Sequence, residues 1–161
     1  MPIKVGDKIP ESRFRVSTAE GPVWKTTDEI FKGKTVVLFG LPGAFTGTCH
    51  KSHLPGYIQN SDAFKAKGVD MVAVTAVNDH FVMDAWRDAS NAAGKVDFLA
   101  DGNAEFAKAI DMTFDAAAGG LGLRSKRYSM VVVDGVVKTL NVEEAPGKVD
   151  LTSAENLLKT L

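Results

Sequence analysis

The sequence predicts an α/β fold: a mixed central sheet flanked by helices, with an N-terminal extension. Three observations predict it. Short β-branched runs, Thr35-Val-Val-Leu-Phe39 and Val69 to Val77, alternate with segments of helical spacing, the pattern of strands linked by helical crossovers. Two later runs are joined by Asp134-Gly135, a hairpin signal that makes part of the sheet antiparallel. The chain has 161 residues, 45% apolar and 24% charged, which suits one core, so residues 1–161 read as a single domain.

The elements follow in order. Thr35 to Phe39 is a buried strand bounded by Gly33 and Gly40. A loop punctuated by Gly and Pro, Gly40-Leu-Pro-Gly-Ala-Phe-Thr-Gly-Thr48, leads to helical spacing from about Cys49 through Leu54, Tyr57, Ile58 and Phe64 to Gly68, with a kink expected at Pro55. After the Val69 to Val77 strand, Asn78 or Asp79 can cap a helix whose apolar face is read as Phe81, Val82, Ala85 and Trp86, with Gly94 as its stop. Phe98-Leu99 is a short strand, and Phe106, Ala107 and Ile110 share one face of a brief helix. Residues 115–124 read as a long loop, Tyr128 to Val133 and Val136 to Val142 as the hairpin, and a terminal helix is expected to start at Asp150 or Thr152. This order is that of a thioredoxin-like fold. A doubly wound parallel sheet would not end in a tight hairpin.

Charge and cysteine usage narrow the function. With 19 Lys plus Arg against 20 Asp plus Glu, the net charge of −1 gives no electrostatic footprint for nucleic acid or an anionic membrane. The longest apolar runs fall far short of the ~20 residues of a membrane span, and no signal-peptide pattern opens the chain. The single cysteine, Cys49, closes no internal disulfide and cannot build a structural zinc site alone. A reducing cytoplasm is the expected location, with no nucleic-acid or membrane partner.

A lone cysteine is ordinarily a small buried hydrophobe. Cys49, however, falls where a polar loop meets a helix N-terminus, and unpaired backbone N–H groups there favour a thiolate. Pro42, Thr46, Thr48, His50, Lys51 and His53 surround it in sequence. Cys49 and His53 are spaced i,i+4, so a Cys/His pair or a metal site is conceivable, although His53 as a surface or hydrogen-bonded residue is the plainer reading. The glycines at 40, 43 and 47 match no phosphate-binding loop. Arg124, Lys126 and Arg127 precede the Tyr128 strand, and if that strand lies beside the first, one arginine approaches Cys49.

Pro42-Gly-Ala-Phe-Thr46-Gly-Thr-Cys49 resembles the P-x-x-x-T-x-x-C signature of peroxiredoxins. Val37 to Thr46, His53-Leu-Pro-Gly-Tyr57, Val77-Asn-Asp79 and Arg127-Tyr-Ser-Met-Val-Val132 are similar to the type-five, or type-II, subfamily, over about residues 4–161. The resemblance implies a thioredoxin-like fold and thiol-dependent reduction of hydrogen peroxide and organic hydroperoxides. By it Cys49 is the peroxidatic nucleophile, Thr46 the hydroxyl on the peroxide, Pro42 the shield of the thiolate and Arg127 its stabilising guanidinium. The backbone N–H groups of Thr48 and Cys49 face the peroxide oxygens. No cofactor is implied: no metal, flavin or nucleotide is required.

The chain departs from the pattern twice. Gly47 stands where the family usually has proline, which removes backbone rigidity. Val74, Thr152 and Ser153 stand near positions where some members carry a resolving cysteine, so Cys49 is resolved by an external thiol, with glutathione and glutaredoxin implied and thioredoxin an alternative. The resemblance also implies a homodimer, with Phe45, Phe81 and Trp86 as candidate contacts or, equally, core residues. A peroxide sensor or redox-relay holdase, and a single-cysteine thiol transferase, are the competing readings.

Ionisation alone does not explain such a site. Lowering a thiol pKa from ~8.5 to ~6 raises the thiolate fraction at pH 7 roughly 30-fold, but the accompanying loss of nucleophilicity is about 13-fold. The net gain is about twofold. Groups that stabilise O–O cleavage are therefore expected beside the sulfur.

Overall fold

The structure, a computed structural model, describes residues 1–161. The N-terminal extension forms a hairpin of β1 (Arg13–Thr18) and β2 (Gly21–Thr26), followed by α1 (Thr27–Phe31), which starts at a Thr26/Glu29 capping box. β3 (Thr35–Gly40) leads through the Pro42 loop into a π-helical turn, Cys49–His53, then α2 (Leu54–Gln59) and α3 (Ser61–Ala66). β4 (Met71–Ala76), α4 (His80–Ala89), β5 (Asp97–Ala100) and α5 (Glu105–Ala109) continue the α/β alternation. β6 (Thr113–Asp115), a 3₁₀ turn at Ala117–Gly119, β7 (Leu123–Ser125), β8 (Tyr128–Val133), β9 (Val136–Val142) and α6 (Ala154–Leu158) complete the chain.

Seven strands form one mixed sheet in the order β2-β1-β5-β4-β3-β8-β9, with β3, β4 and β5 parallel and β8 antiparallel to β3. This is the thioredoxin-like arrangement with helices on both faces. The β3 run has no polar alternation because both its faces are buried. Val37 and Phe39 join Tyr57, Phe64, Trp86 and Leu157 on one side, while Val36 and Leu38 join Ile30, Phe31 and Phe106 on the other. Asp134 and Gly135 both take positive φ, as a two-residue hairpin turn between β8 and β9 requires.

Several boundaries differ from the sequence reading. The helix expected from Cys49 to Gly68 is broken at Asn60, and its irregularity lies before Pro55 rather than at it. Asp79, not Asn78, caps α4 by accepting from the Val82 N–H, and α4 ends at Ala89, well before Gly94. Its buried face is Met83 and Trp86. Phe81 and Ala85, one turn apart, face outward, and Phe81 is 74% exposed. The 115–124 segment is not a plain loop, because β6 and β7 pair as a small second sheet. Ser153 caps the terminal helix, not Asp150 or Thr152, since Thr152 is buried and its hydroxyl is engaged elsewhere.

Candidate active site

The register of β3 with β8 sets the site. Gly40, the last residue of β3, lies opposite Tyr128, the first of β8. The loop leaving β3 and the arginine preceding β8 therefore share one end of the sheet. Position 40 must be glycine, because a Cβ there would collide with the Tyr128 ring.

Residues 47–48 are helical, and the π turn follows at once, with the Leu54 N–H donating to the Cys49 carbonyl five residues back. The wider turn relieves a conflict: Pro55 has no N–H to donate, and its ring would crowd the carbonyl four residues before it in a regular helix. The turn carries Cys49 and His53 inward. Cys49 is only 1% exposed, and His53, expected at the surface or hydrogen-bonded, is buried and hydrogen-bonded.

Arg127 connects them. Its Nη2 donates to Cys49 Sγ at 3.0 Å and its Nη1 to His53 Nδ1 at 2.7 Å, while Nε and Nη2 donate to the Pro146 carbonyl at 3.1 and 2.9 Å. His53 Nε2 lies 3.2 Å from the Thr152 carbonyl, which only accepts, so the ring proton sits on Nε2 and Nδ1 is left to accept from Arg127. Burial and then the Arg127 charge push the His53 pKa down to about 3, so the ring is neutral. Both ring nitrogens are thereby committed. His53 holds the guanidinium rather than a metal, and no Cys/His proton pair forms.

A cavity of about 360 Å³ is lined by Pro42, Thr46, Thr48, Arg127, Pro146 and a wall of Phe114 and Leu121. Thr46 Oγ1 donates to the Gly43 carbonyl at 2.7 Å. Its proton is therefore engaged, and the oxygen is left as an acceptor. Thr48 Oγ1 donates to the Gly147 carbonyl at 2.9 Å, and Thr48 and Cys49 stand in the first helical turn, where backbone N–H groups lack intrahelical partners. A larger cavity of about 490 Å³, near Lys34 and Asp97, lies at the opposite ends of the strands and contains none of these residues.

The structure thus brings together Cys49, Thr46, Thr48, Pro42 and Arg127. Sequence reading missed their supports. Arg124 Nη1 donates to the Pro42 carbonyl at 3.0 Å, and Asn78 Oδ1 accepts from the Ala44 N–H at 2.9 Å, so both brace the loop. Pro146 and Gly147 cap the site from a turn legible as Ala145-Pro-Gly147 but silent about its destination. Of the candidate interface aromatics, Trp86 proves to be core: it is fully buried, and its indole N–H donates to His50 Nδ1 at 2.9 Å. Phe45 and Phe81 are exposed.

Known proteins resemble this chain over nearly its whole length. The Redoxin family model matches residues 4–158. Peroxiredoxin-2E, chloroplastic, of Arabidopsis thaliana is 42% identical over 99% of this chain and 69% of its own length. The hybrid peroxiredoxin hyPrx5 of Haemophilus influenzae is 43% identical over 97% of this chain, which spans 65% of that protein. The crystal structure of reduced Prx3 from Vibrio vulnificus in complex with H2O2 superposes with a TM-score of 0.93 at 49% identity, covering 98% of each chain.

Proposed function

The chain belongs to the redoxin family as a type-five peroxiredoxin, a thiol-dependent peroxidase, and on that premise we propose that Cys49 is its peroxidatic nucleophile, resolved by an external thiol. The contact between Arg127 and the Cys49 sulfur carries this reading. The Cys49 thiolate attacks one peroxide oxygen, the S–O bond forms as the O–O bond breaks, and the other oxygen leaves as alkoxide or hydroxide and takes a proton. Sulfur is oxidised by two electrons to the sulfenic acid and the peroxide is reduced to alcohol or water.

Each neighbour has a part. Arg127 holds the anionic sulfur and the charge developing toward the leaving oxygen. Thr46, its own proton committed to Gly43, accepts the peroxide O–H and so orients the attacked oxygen. The backbone N–H groups of Thr48 and Cys49 stabilise the oxygens, and Pro42 walls off water.

A chain with one cysteine has no internal partner for the sulfenic acid. Condensation with glutathione gives a mixed disulfide and water, and glutaredoxin or a second thiol releases Cys49; thioredoxin is the alternative reductant. A thiol that must return to the reduced state suits the cytoplasm. Exposed Phe45 and Phe81, on the active-site side, support a homodimer joined at those faces.

Steady-state peroxide consumption tests the reading. Cys49→Ser retains the fold and falls below about 1% of the wild-type rate, since a hydroxyl supplies no thiolate. After peroxide plus glutathione, the wild type carries a glutathione-sized mass increment on Cys49. A Cys49 that stays free under turnover refutes the assignment.

A further inference from the structure

One buried carboxylate close to the site has no part in the chemistry above. Glu143 follows β9, and its backbone N–H donates to the Arg127 carbonyl at 3.0 Å. Its side chain turns back into the segment that returns toward α6. It accepts from the N–H groups of Asp150 and Thr152 at 2.8 Å each, from that of Leu151 at 3.3 Å, and from the Thr152 hydroxyl at 2.6 Å.

All four partners are donors. An ionised carboxylate, which only accepts, satisfies them: the Asp150 and Thr152 N–H groups and the Thr152 hydroxyl converge on Oε2 and the Leu151 N–H reaches Oε1, whereas a neutral amide holds the three donors on its oxygen less strongly and turns its NH2 toward the Leu151 N–H. Burial pushes the Glu143 carboxyl up, but these hydrogen bonds, from Thr152 first, outweigh it and hold the group below the usual carboxylate range.

The turn held this way has one consequence at the sulfur. It places the Thr152 carbonyl where it accepts from both His53 Nε2 and the Tyr57 hydroxyl, the latter at 2.8 Å. If that carbonyl moved away, His53 could carry its proton on Nδ1, and an N–H would then face the Arg127 N–H groups. A guanidinium facing a donor cannot hold the same position.

Resting on the assignment of Cys49 and Arg127 above, we propose that Glu143 is a positioning residue for peroxide reduction: through the Thr152 carbonyl it fixes the His53 tautomer that accepts from Arg127, and so aims the guanidinium at the Cys49 sulfur. The Glu143 side chain itself makes no hydrogen bond to Cys49 or Arg127; its action is relayed.

The test is stopped-flow oxidation of the reduced full chain by hydrogen peroxide, compared at equal thiolate concentration, for wild type, Glu143→Gln, His53→Gln and the double variant, with folding checked by circular dichroism. Glu143→Gln is expected to slow oxidation by about 10- to 100-fold, the cost of a misplacement of about 1 Å. In the His53→Gln background it adds nothing, because the relay is already cut. Nitrogen-15 NMR of the imidazole reads the relay directly: wild type shows the proton on His53 Nε2, and Glu143→Gln a mixture of tautomers. An unchanged rate, an unchanged tautomer or rate losses that multiply in the double variant would overturn the proposal. Should Glu143→Gln fail to fold, Thr152→Val removes one donor and is expected to slow oxidation, while Thr152→Ser keeps the hydroxyl and the rate; equal rates for both refute it. A wild-type Cys49 that peroxide leaves unoxidised would instead overturn the underlying assignment.

Discussion

Arg127 Nη2 donates to the Sγ of Cys49 at 3.0 Å although 78 residues separate them in the chain. Antiparallel pairing of β8 with β3 brings the guanidinium to the loop end of the sheet, and the Pro146 carbonyl and His53 Nδ1 then hold three of its nitrogens. The charge is buried, and four of its five N–H groups are engaged, which is how an interior arginine avoids an uncompensated desolvation cost.

Arg127→Gln is expected to slow the peroxide step by about 100- to 1,000-fold when compared at equal thiolate concentration, the range for loss of one preorganised donor. Stopped-flow oxidation measures it. Because a change in thiolate population alone alters the rate little, a rate that recovers fully once thiolate is matched would remove Arg127 from the transition state.

Thr46→Val keeps the shape of the side chain but loses the oxygen proposed to accept from the peroxide. A fall of about 10- to 1,000-fold in the oxidation rate is expected. Thr46→Ser, which can still donate to Gly43 and accept from peroxide, should lie within about tenfold of wild type. Equal rates for the valine and serine variants would show that the hydroxyl is not used.

The depressed His53 pKa makes stability depend on pH. In the unfolded chain this histidine binds a proton below about 6.5, whereas in the folded protein it stays neutral down to about 3. Unfolding therefore takes up a proton over that window, so the His53 contribution is fully present above pH ~6.5 and is lost as pH falls, at about 1 kcal/mol per pH unit. Asp101 opposes it, since burial pushes its carboxyl up to about 6, against hydrogen bonds from Ala107 and Phe106. The difference between wild type and His53→Gln isolates the histidine. Urea unfolding at pH 7, 6 and 5 should show that difference shrinking with acidity, and a constant difference would mean that His53 titrates normally in the folded protein.

Gly47 tests the departure from the family's proline. Its φ is not in the left-handed region, a Cβ there would meet nothing within 4 Å, and residue 47 is the first helical position, where proline is well tolerated. Gly47→Pro is expected to raise stability by about 0.4–1 kcal/mol by restricting the unfolded chain. A lower melting temperature would show that the loop needs glycine.

The sequence alone was enough for the elements whose cause is local. The Asp134-Gly135 turn was legible because two consecutive positive φ values leave few residue choices, and β3 because a strand buried on both faces shows as an unbroken apolar run. Cys49, Thr46 and Pro42 lie within eight residues of one another, so their motif can be read directly, and Arg127 could be named from the resemblance.

Only the tertiary structure decided which groups hold that arginine, and which face of α4 is buried. Helical spacing offered Phe81 and Ala85 as readily as Met83, and only packing against the sheet chose between them. The supports of the site, Pro146, Thr152 and Glu143, act through a backbone carbonyl or through backbone N–H groups supplied by a distant turn. Every residue carries such groups, so the side-chain pattern records neither their partners nor their positions. Where each carbonyl and carboxylate lies depends on chain closure, set by strand register and by the path of the 143–152 segment.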